Sequence, residues 1–118
     1  MTLREKIDEY KEDFSWRTQD GDILLLEEMD TKHVFNSMKM IYNHLASRYN
    51  KETVWFTKFY TDYAYDFDSF DMALTICIFY EEIEKRGNLP MKYAQPYYKI
   101  VSALKTWSGN NEFLLTTG

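Results

Sequence analysis

The chain has one cysteine, Cys77, two prolines and four glycines among 118 residues. A single cysteine excludes an internal disulfide and a zinc site built on thiolates, and it suits a reducing cytosol. With no internal repeat and no low-complexity linker, one domain over residues 1–118 is expected, large enough for a single core. No stretch approaches eighteen uninterrupted apolar residues, and no basic start leads into an apolar run. The expectation is a soluble, unexported, cytoplasmic protein with no membrane partner. Lysine and arginine are missing from residues 59–84, which hold seven acids, whereas residues 85–111 hold five bases and no acid. Such neighbouring segments either pair within the fold or leave an acidic and a basic face on a chain of net charge −5. Also absent are a Gly-rich phosphate loop, G-x-S-x-G and H-E-x-x-H. No enzyme is therefore expected: no catalytic residue, no metal ligand and no cofactor. A carboxylate site assembled from different helices would leave no local motif.

Aromatic side chains are what the chain has in quantity, at 18%, with ten Tyr, eight Phe and three Trp. That much ring surface in a small protein fills a core and leaves some for recognition. Disorder is expected at most at the ends.

Residues 16–45 organise the reading. Asp20-Gly21 is a turn signal, because Gly takes positive φ cheaply and Asp tolerates it. It separates residues 15–18 from 23–26, which predicts a small β-hairpin near residues 15–26. Asp30 or Thr31 then caps a helix on which Val34, Met38, Ile41, Leu45 and Tyr49 form one apolar stripe with Tyr42 at its edge. His33 and His44 fall within about 20° of each other on that helix, but roughly 16 Å apart along it, too far to share one metal ion. Ser37 and Met40 lie between them. Two polar contacts on a binding ridge are one reading. The plainer one packs His33 against Trp16 and leaves His44 in solvent.

The pattern Trp16-x-Thr18-x-Asp20-Gly21, then Met29-x-x-x-His33-x-x-Asn36 and helical aliphatics, resembles a motif of small bacteriophage proteins of unassigned activity. Val34 and Ser37 stand where that motif often has Leu and Ala. The resemblance covers about thirty residues. It implies a phage origin, hence a host bacterial cytoplasm, and a structural role for Trp16, Asp20, Gly21, His33 and Asn36 in locking turn and hairpin onto the helix.

Upstream, Thr2 to Glu5 has capping-box spacing, and Leu3, Ile7, Tyr10 and Phe14 mark one face of a helix over 3–14. That helix docks on its own core or on another subunit. Residues 51–60 read as a helix, although 53–60 are also rich in strand-forming types. Residues 62–71 form a loop of aspartates and rings: Asp62, Tyr63, Tyr65, Asp66, Phe67, Asp68, Phe70 and Asp71. Residues 67–86 give a helix apolar almost all round, the mark of a central one. Lys85 and Arg86 suit its negative end and Gly87 its termination. Cys77 on it reads as packing rather than as a nucleophile, since no histidine is near in sequence. Glu81, Glu82 and Glu84 read as solvated, and Glu27 and Glu28 as leading into a cap. Pro90 opens a short turn at 91–94, and Pro96 begins a helix over 97–107 with Tyr97, Ile100, Val101, Leu104 and Trp107 on its apolar face. Residues 112–116 add a short strand to the hairpin or fray. The fold class is mainly α: a compact domain of four to five helices with a small β-hairpin.

Three kinds of binding follow. A non-enzymatic phage-type protein could use Asp62, Tyr63, Tyr65, Asp66, Asp68 and Asp71 to occupy a cationic groove of a host protein, a nuclease or defence complex. Phage inhibitors of restriction or CRISPR machinery supply the analogy. The plainer reading of these residues is helix-start aspartates and core rings. Alternatively, Lys85, Arg86, Lys92, Lys99 and Lys105, near Tyr93, Tyr97, Tyr98 and Trp107, would bind nucleic acid. Lys99 and Lys105 are about 120° apart on their helix, which weakens that patch. A structural role in a homo-oligomer or a virion is the remaining class.

Overall fold

The computed structural model describes residues 3–18, 20–49 and 67–108, with side chains over 4–18, 20–44 and 71–105. Among them are four α-helices: α1 (Leu3–Glu12), α2 (Thr31–Tyr49), α3 (Phe67–Arg86) and α4 (Ala94–Ser108). Strands β1 (Trp16–Arg17) and β2 (Ile23–Leu24) form a two-stranded antiparallel sheet between α1 and α2. Single 3₁₀ turns precede α2 (Leu26–Glu28) and α4 (Met91–Tyr93). The fold is therefore mainly helical with a small hairpin, as the sequence pattern indicates. The expectations for a helix over 51–60 and a strand over 112–116 lie outside the described residues.

Helix α3 is the centre. Every residue from 73 to 80 is buried, including Ile76, Cys77, Ile78 and Phe79 with no exposed surface. A helix apolar on nearly all sides must be enclosed by its neighbours. Its largest interface is with α2, through a stripe of Val34, Phe35, Met38, Ile41 and Tyr42. Helix α1 covers a second side with Ile7 and Tyr10, and Phe14 just beyond it adds to the same face, so this helix docks on its own core. Tyr97, Ile100, Val101, Ala103 and Leu104 of α4 complete the cluster. Each fully buried aliphatic or aromatic side chain in it contributes about 1.5–3 kcal/mol of transfer free energy.

The local signals act where the sequence places them. Asp30, not Thr31, caps α2: its Oδ1 accepts the His33 N–H at 2.7 Å. Gly87 ends α3 at φ 64°, donating its N–H to the Ile83 carbonyl at 3.0 Å. Pro96 sits in the first turn of α4, where its missing N–H costs nothing. Helix α1 stops at Glu12 rather than at residue 14, because the chain must turn there into β1.

The hairpin pairs Trp16 with Leu24 and Arg17 with Ile23. Thr18 closes it. Its N–H donates to the Asp22 carbonyl (2.8 Å), its carbonyl accepts from the Gly21 N–H (3.0 Å), and its Oγ1 accepts from the Asp22 N–H (3.2 Å). Gly21 has φ 89°, a conformation costly for residues with a Cβ. Trp16 then anchors the hairpin through an edge contact with Phe79 at 5.4 Å between ring centroids, and Phe14 meets the same ring at 5.6 Å. Replacing Phe79 by Ala should lower unfolding free energy by about 3–5 kcal/mol in urea titrations, because one cavity removes the support of both Phe14 and Trp16.

Candidate functional site

The C-terminal half of α3 carries three glutamates expected in solvent, and the structure corrects that reading for Glu81 and Glu82, whereas Glu84 is exposed. The Glu81 carboxylate is bidentate with Arg4 of α1, one arm being Nη2 to Oε1 at 3.0 Å, with side chains only 11% and 17% exposed. Arg4 also reaches Asp8 at 2.7 Å. Its pKa is raised, chiefly by the bond to Glu81 and against the effect of burial. Glu82 accepts from Arg86 Nε at 2.7 Å. The same guanidinium donates to Thr31 Oγ1 (3.3 Å) and to the Leu26 carbonyl (3.1 Å), while Thr31 donates to Asn88 Oδ1 (2.7 Å). Glu84 accepts the Tyr97 hydroxyl of α4 at 2.6 Å. Glu28 is likewise engaged, taking the Leu25 N–H at 2.7 Å. Glu81 and Glu82 are half-buried on α3, so each pairs with a cation rather than with water alone.

These bonds reduce the basic C-terminal patch. Arg86 is spent on the start of α2, Tyr97 is buried, and Tyr93 lies 5.1 Å from Phe35 between ring centroids, with Lys92 Nζ over its ring at 5.2 Å from the centroid. Lys85, Lys92, Lys99, Lys105 and Tyr98 are exposed. The Trp107 side chain lies outside the described residues.

Of the residues expected to bind a partner, Asp62, Tyr63, Tyr65 and Asp66 lie outside the described residues. Asp68 falls in the first turn of α3, with its side chain outside them. Asp71 is described. It is half-buried and lines a cavity of about 360 Å³. Tyr10 and Trp16 form one wall, Met40, Ile41 and His44 of α2 another, and Asp71, Met72 and Thr75 of α3 the third. Thr75 Oγ1 donates to the Asp71 carbonyl (2.9 Å) and lies 3.4 Å from the Tyr10 hydroxyl. The lining is mainly apolar with a few polar groups, the usual constitution of a ligand or side-chain seat. Sequence reasoning missed it because four separate elements contribute to it.

The structural motif is only partly joined. Trp16 and Gly21 shape the hairpin as expected, and Thr18 does more than either. Asp20 and Asn36 are exposed, and His33 is half-buried at the start of α2. Trp16 makes its ring contact with Phe79 of α3, and the histidine that shares its cavity is His44. No group of three His, Cys, Asp or Glu suited to a metal ion occurs among the described residues. Within them, no helix is long and apolar enough to cross a membrane. Cys77 is fully buried and desolvation pushes its thiol well above the usual range, which removes it as a nucleophile at neutral pH.

Comparison with protein families, curated proteins and solved structures gives no match for this chain.

Burial, the bond to Glu84 and the carboxylate's charge raise the Tyr97 pKa, as burial does for Tyr80. A raised folded-state value means stability is fully present below the unfolded tyrosine pKa of about 10 and is lost above it, by about 1.4 kcal/mol per pH unit per group. Denaturant titrations from pH 8 upward should show that alkaline fall, and Tyr97→Phe should make it shallower.

Proposed function

We propose that the protein is a non-enzymatic binding protein that lays an acidic, ring-rich surface into a cationic groove of a partner protein. In keeping with the phage-like motif of residues 16–45, the partner class is a host factor that acts on nucleic acid. A nuclease or a restriction or CRISPR complex has such a groove, because it must hold phosphates. Carboxylates in place of phosphates take over its lysines and arginines, and exposed rings add contact energy.

The observation that carries the reading is the division of the acidic segment 59–84. Its glutamates are bonded internally: Glu81 to Arg4 of α1, Glu82 to Arg86 of α3 itself, and Glu84 to Tyr97 of α4. Toward the other end of α3, Asp71 borders the cavity beside Trp16 and His44. The acids near Gly87 hold the fold together, whereas Asp71 stands at the cavity, which supports a partner-facing role for the aspartates. Direct nucleic-acid binding by the basic C-terminal helix is the weaker reading, since Arg86 and Tyr97 are both used internally.

The test is capture from nuclease-treated bacterial lysate by the tagged full chain and by a variant with Asp62, Asp66 and Asp68 each changed to Lys. The native chain should retain a nucleic-acid-processing enzyme or defence complex and inhibit it. The variant, with unchanged helical circular dichroism, should bind about a hundredfold more weakly, mainly through slower association. Equal retention by both, or retention of nucleic acid alone, would sink the proposal.

A further inference from the structure

The cavity at the start of α3 has a definite chemistry. Two aromatic side chains, Tyr10 and Trp16, two thioethers, Met40 and Met72, and the carboxylate of Asp71 are among the residues that line it. Among the described residues, no lysine or arginine lines it. At about 360 Å³ it lies at the small end of ligand seats, enough for one long side chain and too small for a helix.

We infer that this cavity receives one arginine side chain of the partner protein, its guanidinium over the Trp16 ring and paired with Asp71. The inference rests on the reading that the partner surface is cationic. It adds which residue of that surface is the anchor. Guanidinium is planar and weakly hydrated, so it stacks on an indole and pairs with a carboxylate at once, which a lysine ammonium does less well. Its methylene stem gains from the apolar walls at Ile41 and the methionines, whose polarizable sulfurs adapt to an inserted group. A carboxylate has about four acceptor sites, so an incoming guanidinium can share Asp71 with a bond it already makes. An arginine seated in a ring-lined pocket is also the kind of contact that dominates protein interfaces.

The experiment uses the intact chain and three soluble probes: N-acetyl-arginine methylamide, its lysine analogue and its neutral citrulline isostere. Binding is read by NMR from the Trp16 indole N–H, assigned with Trp16→Phe, and from the methyls of Met40 and Met72. The arginine probe should shift these signals with a dissociation constant of about 1–10 mM. Citrulline should bind about five-fold more weakly or worse, and Asp71→Asn should abolish that preference. Met40→Lys, at a wall residue 52% exposed and so tolerant of substitution, should prevent binding while leaving the fold intact. No shift with the arginine probe, equal binding of citrulline, or an unaltered preference in Asp71→Asn would overturn the inference. The two proposals fail separately. A partner captured through Asp62, Asp66 and Asp68 with no arginine binding removes only the cavity's role. Arginine binding with unchanged capture by the triple variant removes only the acidic-surface reading.

Discussion

Enclosure of α3 is the constraint from which the remaining structure follows. Residues 73–80 are buried with α2 and α1 packed directly against their helix, while α4 packs on α2 and meets α3 through Tyr97. The polar end of that helix is less enclosed, Glu84 and Lys85 being exposed, yet its carboxylates still find donors. Three of them within four residues meet Arg4 of α1, Arg86 on α3 itself, and Tyr97 of α4. Such partly buried pairs add little net stability over apolar substitutes, yet they penalise any arrangement that leaves a carboxylate unmatched. Their effect is to fix which helix goes where.

The same arrangement shapes the functional reading. An acidic segment looks uniform when read as charge along the chain. Folded, its glutamates are bonded internally, and Asp71 stands beside a cavity lined with rings and thioethers. Charge count alone cannot assign a surface, because internal and external carboxylates contribute equally to it. Geometry separates them, as it separates Arg86, held on the Leu26 carbonyl, from Lys85 one residue earlier.

Much of the scaffold could be read directly from the residues. Helix α3 begins and ends at the expected positions because its apolar run is long and Gly87 stops it. Helix α2 and the hairpin follow from Asp30 and from Asp20-Gly21. Other features left no local trace. The Arg4–Glu81 pair joins residues 77 positions apart, and nothing near either one signals the other. Arg86 and Glu82 do stand at helical pairing distance, but spacing cannot say that the arginine also reaches back to the start of α2. Trp16 was readable as an anchor, though not its support, since Phe79 is one of many rings. The cavity was the least readable feature, being made from Tyr10, Trp16, α2 and α3 at once.

Cys77 adds a consequence of its own. The chain's lone sulfhydryl sits midway along the enclosed helix with no surface exposed. A thiol reagent in solution reaches it only during excursions that part α3 from its companions, so its labelling speed measures how often the assembly opens. The molecule thus carries an intrinsic gauge of its own breathing, placed where all the packing converges.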